Sequence, residues 1–256
     1  MNTEKQQILK EMYLAGKQYK EIQQVLHCAV GVITYYVRKM NLPMRGSGTS
    51  KVPYNPFLEE SPERDYWLGY LFADGHIADR QMILTTKEKH VADAFNAFFK
   101  NQCSIYKQPY KANPDNIIYR STYLSKSVQT WFSLTYNIPT NKAKVLNPTV
   151  VINWDILRGY FEGDGFAHKK GGLGITTGSE IWAKRIQAFL KDNGIEALLQ
   201  PVGAYYTVNV WKKSELEKLV GKLYYDGCFY CHEYKKKRLE PYSSNAICKA
   251  GELLES

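Results

Sequence analysis

The sequence predicts an α+β fold made of two similar halves, each reading α-β-β-α-β-β-α, behind a small all-α N-terminal domain. One observation is a repeat. The segment Trp67-Leu68-Gly69-Tyr70-Leu71-Phe72-Ala73-Asp74-Gly75 returns as Leu157-Arg158-Gly159-Tyr160-Phe161-Glu162-Gly163-Asp164-Gly165, and recurrence at domain-scale spacing marks a duplicated unit. A second is that each copy is followed by the same succession of periodicities. A third sets the N-terminus apart: only helical spacing appears up to about residue 43. There the run Arg45-Gly46-Ser47-Gly48-Thr49-Ser50, continuing through Pro53 and Pro56, breaks it. The expected boundaries are 1–45 for the helical domain, 46–62 for a linker, 63–150 for the first repeat and 151–256 for the second repeat with a C-terminal tail.

Taken in order, Ile8 and Met12 mark one face of a helix ending near Gly16. Ile22, Val25 and Leu26 mark a second helix, and Ile33, Val37 and Met40 a third. Only His27-Cys28-Ala29-Val30 separates the last two, the spacing of a helix-turn-helix. In the first repeat a strand is expected at Met82–Thr85. Val91, Ala94, Phe95, Phe98 and Phe99 at i, i+3, i+4, i+7, i+8 then give an amphipathic helix. Strands near Ser104–Tyr110 and Asn116–Tyr123 follow, then a helix over about 127–136. In the second repeat Leu173–Thr177 reads as strand, and Trp182, Ile186, Phe189 and Leu190 mark a helix ending at Asn193-Gly194. Strands are expected at Ile195–Gln200 and Tyr205–Trp211. Ser214-Glu215-Leu216-Glu217 reads as a capping box opening a helix through Leu223.

Composition bounds the function. The 256 residues carry a formal net charge of +9 and a pI near 9.1, which favours a polyanionic partner because Lys and Arg on phosphates release condensed counterions. No apolar run is long enough to span a membrane, and the start Met1-Asn2-Thr3-Glu4-Lys5 has no apolar stretch behind its charges. A protein of the cytoplasm or nucleoid, neither secreted nor membrane-bound, is expected. Five cysteines without paired spacing point to reduced thiols. Cys228-Phe229-Tyr230-Cys231-His232 matches the haem-attachment pattern C-x-x-C-H, yet that motif belongs to exported proteins, and no second Cys/His pair points to zinc.

The repeated segment carries the chemistry. Gly69 and Ala73, like Gly159 and Gly163, are four apart and share a helix face, where missing side chains let two backbones approach. Each copy ends Asp-Gly, the glycine expected to provide the terminating turn and the aspartate to project from the last one. Two such helices packed in the same sense bring Asp74 and Asp164 to nearly one point. With no Lys or Arg beside them the carboxylates repel unless divalent cations intervene, and carboxylate-held Mg²⁺ is a standard solution for phosphodiester hydrolysis.

WLGYLFADG and LRGYFEGDG resemble the paired motifs of single-chain LAGLIDADG homing endonucleases, and with the flanking element order the resemblance covers about residues 53–241. It implies a duplicated LAGLIDADG saddle of two four-stranded antiparallel sheets lying along the DNA major groove, the motif helices forming the pseudo-dyad. A pseudo-two-fold monomer acting on double-stranded DNA with Mg²⁺ or Mn²⁺ is expected. The acidic position falls on Asp74 and Asp164 as catalytic metal ligands, with no role assigned to the backbone at position 73. The sixth motif position, Phe72 or Glu162, is expected to matter little. The family's lysine after each repeat's last helix falls on Lys142, then Lys144, in the first repeat. In Tyr234-Lys235-Lys236-Lys237-Arg238 it falls on Lys236, although a basic run also serves as a phosphate clamp or a solvated face. Thr86 and Thr177 stand where a polar residue nears the metals and the DNA. In the N-terminal domain, which resembles the helix-turn-helix of recombinases and sigma-like regulators, Thr34, Tyr35, Arg38 and Lys39 are the expected DNA-facing residues. A three-helix bundle for protein contacts has the same apolar pattern.

The expected function is site-specific, metal-dependent double-strand cleavage of a long DNA target. The alternatives are a regulator that binds DNA without cutting and an RNA intron maturase. The intact Asp74 and Asp164 favour the nuclease, and termini without a nucleophile or a His-Asn close argue against an intein.

Overall fold

The computed structural model describes residues 1–15, 17–42, 53–78, 80–110, 113–139, 145–168, 171–225 and 232–242. The N-terminal helices are α1 (Thr3–Leu14), α2 (Tyr19–Leu26) and α3 (Val30–Lys39). They close over their own core of Leu9, Tyr13, Ile22, Leu26, Ile33 and Val37. Within α1 the inward positions are Leu9 and Tyr13, with Ile8 and Met12 at the rim. Val25, expected inside, is 53% exposed, because the inward stripe of the short α2 runs through Ile22 and Leu26. The α2 helix opens with the Gln18 amide donating to Glu21 Oε2 at 2.6 Å. It stops at His27, whose left-handed φ of 50° turns the chain toward α3.

In the first repeat, a 3₁₀ turn at Pro56–Leu58 precedes α4 (Pro62–Ala73). The Ser61 hydroxyl caps α4 by accepting the Arg64 amide at 3.0 Å, and Pro62 fills the first turn, where no amide is needed. Then come β1 (His76–Ala78), β2 (Gln81–Thr86), α5 (Lys89–Phe98), β3 (Ser104–Tyr110), β4 (Asn113–Leu124) and α6 (Lys126–Thr135). The second repeat runs α7 (Trp154–Asp164), β5 (Gly165–Ala167), β6 (Leu173–Thr177), α8 (Glu180–Asp192), β7 (Leu198–Val202), β8 (Tyr205–Val210) and α9 (Lys213–Leu223). A further helix, α10 (Glu233–Leu239), follows.

The strands form two antiparallel four-stranded sheets of identical topology, β1-β2-β4-β3 and β5-β6-β8-β7. Cross-strand partners share a face, so the register separates the two faces of each sheet. Met82↔Tyr123 and Leu84↔Ser121 face the helices, as do Leu173↔Val210 and Ile175↔Val208, and all eight are buried. Thr85↔Arg120, Tyr106↔Arg120 and Gln200↔Thr207 lie on the opposite faces. Phe57, Trp67, Phe72, Phe95, Phe132, Tyr160 and Trp182 belong to the large core beneath the sheets.

Two local expectations are corrected. The strand expected at 195–200 begins later, at Leu198, because Ile195 still closes the end of α8, donating its amide to Leu190 O at 2.9 Å beside Gly194 at φ +71°. Ser214 does not cap α9. That helix starts at Lys213 behind Lys212, and Glu215 instead accepts the Glu196 amide at 3.3 Å and the Lys218 ammonium at 3.1 Å.

Candidate active site at the paired helix ends

The motif helices α4 and α7 meet backbone to backbone. A Cβ added to Gly69 would lie 1.9 Å from Ile156 O, and one added to Gly159 would lie 1.9 Å from Tyr66 O. Neither position accepts a side chain without the helices separating. At their N-terminal ends the pair is pinned by Asn153, whose Nδ2 donates to Asp65 Oδ2 at 2.5 Å, while Asp65 is also held by Arg64 at 2.7 Å. Arg158, within the second motif, points away from the acidic end. It is fully buried, pairs with Asp155 at 2.8 Å and donates to Leu223 O at 3.4 Å.

At the other end the helices deliver their acids together. Asp74 caps α4 and is exposed; Asp164 is the last residue of α7 and is half-buried. A Cβ on Gly163 would meet Ala73 Cβ at 2.5 Å and Asp74 Oδ2 at 3.3 Å, so the bare Gly163 backbone leaves the space in which the Asp74 carboxylate sits, against the residue that precedes Asp164. The terminal glycines serve differently from expectation. Neither Gly75 nor Gly165 has a left-handed φ. Each is required because a side chain would collide with the preceding turn, at 2.6 Å from Leu71 O and at 2.4 Å from Phe161 O.

Around the acids stands a shell that repeats only in part. Tyr70 and Tyr160 lie one turn before Asp74 and Asp164. Burial pushes both phenols well above their ordinary range, and the neighbouring carboxylates add to it. Thr86 and Thr177 are 6% and 3% exposed. Their hydroxyls accept the Glu88 and Ser179 amides at 3.2 Å and face Tyr70 and Tyr160. As DNA contacts they are therefore corrected: both lie on the helix-facing side of their sheets, and the open side is presented by Thr85 and Thr176, one residue earlier.

Among the described side chains of the basic run after α9, that of Lys235 reaches the site. Its ammonium donates to the carbonyls of Phe161 at 2.6 Å and Gly163 at 3.3 Å, and to that of Glu162, capping the negative end of α7 next to Asp164. The neighbouring Lys236, the expected choice, has a side chain outside the described residues, as do Lys142 and Lys144 entirely. Glu162 proves consequential: it is buried and accepts from Tyr224 Oη and from the His232 amide at 2.8 Å, tying those two residues to the motif helix. Of C-x-x-C-H, Cys228 and Cys231 are outside the described residues. His232 is described and bonds Tyr70 Oη at 2.7 Å and Glu88 Oε1 at 2.8 Å. No sequence pattern singled out Lys235, Glu88 or Tyr70. On α3, Tyr35, Arg38 and Lys39 are exposed, whereas the Thr34 hydroxyl is turned back to Val30 O at 3.0 Å.

Two antiparallel sheets, a glycine-seated helix pair and an acid at each helix end define a class of duplicated, pseudo-symmetric proteins. Residues 155–223 match the family model of a LAGLIDADG-like domain, and the protein carries the duplicated LAGLIDADG fold. Among solved structures, the homing endonuclease I-WcaI bound to its DNA recognition sequence superposes with a TM-score of 0.55 at 13% identity, over 76% of this chain and 94% of that one. Meganuclease I-SmaMI bound to uncleaveable DNA with a TTCT central four gives 0.51 at 11% identity, over 71% and 90%. At these identities the likeness is one of fold. No curated protein sequence matches the chain.

Proposed function

We propose that this protein is a divalent-metal-dependent DNA endonuclease that makes a double-strand break in a long duplex site, working as a pseudo-symmetric monomer. The observation that supports this reading is the meeting of Asp74 and Asp164 at the ends of two helices in backbone contact, between two sheets with open polar faces. The donor set fits a hard cation, because the space left by Gly163 admits the Asp74 carboxylate against the residue preceding Asp164, and Mg²⁺ or Mn²⁺ takes carboxylate and water oxygens. Among the described residues no group of three or more His, Cys, Asp or Glu is arranged to hold a metal ion, and water and phosphate oxygens are the further ligands proposed. A bound ion supplies Lewis acidity and an activated water at the scissile phosphate. The chain's own groups do the rest: Asp74 and Asp164 hold charge at the centre, Lys235 offsets anionic charge beside Asp164, and the sheet faces set position along the duplex. Tyr35, Arg38 and Lys39 of α3 add contacts at a flank of the site.

Incubating the full chain with a random-site DNA library and Mg²⁺, then sequencing the ends, tests the reading. Recurrent double-strand ends within one long sequence are expected. Enrichment of bound DNA without new ends would instead support a regulator that does not cut.

A further inference from the structure

The open face of the second sheet carries a relay of hydrogen bonds that ends on an exposed amide. Asn209 pairs with Gly174 and Leu198, and Thr207 with Thr176 and Gln200, so Asn209, Thr207 and Gln200 share the face turned from the core. Asn209 and Thr207 are nonetheless 3% and 9% exposed, whereas Gln200 is exposed. The bare Gly174 makes the room, since a Cβ there would lie 2.7 Å from Asn209 Oδ1 and 2.4 Å from Phe166 Cζ. His168 packs its ring against those of Trp211 and Phe166, with centroids 4.1 and 4.7 Å away.

The bonds run in one direction. Thr207 Oγ1 stands 3.5 Å from Gln200 O, an atom that only accepts, so the hydroxyl hydrogen points there. Thr207 then accepts from Asn209 Nδ2 at 2.9 Å, and the other hydrogen of that amide goes to Gln200 Oε1 at 3.1 Å. Asn209 Oδ1 accepts from His168 Nε2 at 3.0 Å, whether the ring is neutral or cationic. Every donor meets an acceptor, and a planar amide whose Oε1 is held inward presents Nε2 outward. In the first sheet the equivalent positions hold Thr122, Arg120 and Tyr106, and Ala78 stands where the second repeat has His168, so the relay belongs to one half.

We propose that Gln200 is a specificity-determining residue for the half of the target under the second repeat, with His168, Asn209 and Thr207 as the positioning residues that hold its NH₂ outward. A fixed donor matches the keto oxygen of guanine or thymine in the major groove and does not match the amino group of adenine or cytosine. It also forgoes the bidentate pairing by which glutamine reads adenine, which uses both ends of the amide. This inference rests on the reading that the sheet faces lie along duplex DNA.

The test recovers sites for the full chain from a random-site duplex library by binding, with Ca²⁺ in place of Mg²⁺, and then measures affinity for each of the four bases at every position of the recovered site. Gln200→Ala should level the preference at one position and leave the others; there the unsubstituted chain should favour guanine or thymine about tenfold. Gln200→Glu, at an exposed position, puts an acceptor outward and should favour adenine or cytosine at that same position. Asn209→Asp should do likewise through an unchanged Gln200, because a carboxylate only accepts and draws Nε2 inward. A purely structural role would weaken binding without exchanging bases. His168→Phe removes the donor to Asn209 and keeps a ring against Trp211, so the preference should shrink several-fold at that position alone. An amino base preferred by the unsubstituted chain, or no single position altered by Gln200→Ala and Gln200→Glu, overturns the proposal. Selectivity unchanged in Asn209→Asp and His168→Phe overturns the relay. Sites that are bound yet never cut in Mg²⁺ defeat the nuclease reading and leave this inference standing; a cutting enzyme indifferent to Gln200 means the reverse, and no recovered duplex defeats both.

Discussion

Glu162 stands where the first motif has Phe72, and the contrast between them explains what a single residue does in a duplicated fold. Phe72 packs against Phe132, Tyr136 and Trp182, filling core. Glu162 is 2% exposed, and a buried carboxylate there is tolerable because Tyr224 Oη and the His232 amide donate to it. Tyr224→Phe removes one donor and leaves the charge, so it should cost about 1–3 kcal/mol in urea unfolding. It should also speed amide exchange at His232. The motif pattern exposes Asp74 and Asp164 because duplication makes a pair conspicuous. It does not expose Glu162, since a carboxylate on a helix is ordinary unless its burial is known. Lys235 is hidden for a related reason. Within Tyr234–Arg238 only the rotational register of α10 decides which ammonium reaches the α7 carbonyls, and a run of like residues carries no periodicity to read.

At the scale of elements, the decisive contact is the crossing of α4 and α7. Its glycines were legible as a close-approach face from their spacing, and the 1.9 Å overlaps at Gly69 and Gly159 give that reading a magnitude. Gly159→Ala should destabilise by about 1–3 kcal/mol or more, as overpacking does. Gly221, in α9, has open space around it, and Gly221→Ala should stabilise by up to about 1 kcal/mol through helix propensity alone. Opposite shifts in the urea midpoint for one substitution at two helical glycines would separate packing from propensity. Long amphipathic helices such as α5 and α8 were readable from spacing. The strands β1 and β5 were not placed, because three residues each give alternation too short to recognise. The face presented by β2 and β6 was missed by one residue, since a one-residue shift moves a side chain to the other side of a sheet. That shift is why Thr86 and Thr177 are internal bridges.

For the whole molecule, the described apolar residues form two separate cores, one in residues 1–42 and one in the repeats. Deleting residues 1–45 should therefore leave a folded and cutting protein with weaker affinity for its site, measured by filter binding at matched salt. Equal affinity would show that α3 does not touch the target. The net charge of +9 leads to a second expectation for the full chain: log affinity falling linearly with log salt with a slope of several units, as multiple phosphate contacts require. The measurement closest to the central claim concerns the two acids. Asp74→Asn and Asp164→Asn keep size while removing a metal-binding charge, and each is assayed on supercoiled plasmid carrying the selected site with Mg²⁺. Each variant should fail to linearise the plasmid while still binding it in Ca²⁺, giving nicked product if each acid serves one strand and intact plasmid if the cations are shared. Linear product at the unsubstituted rate from both variants would contradict the assignment of Asp74 and Asp164 as the metal-holding pair.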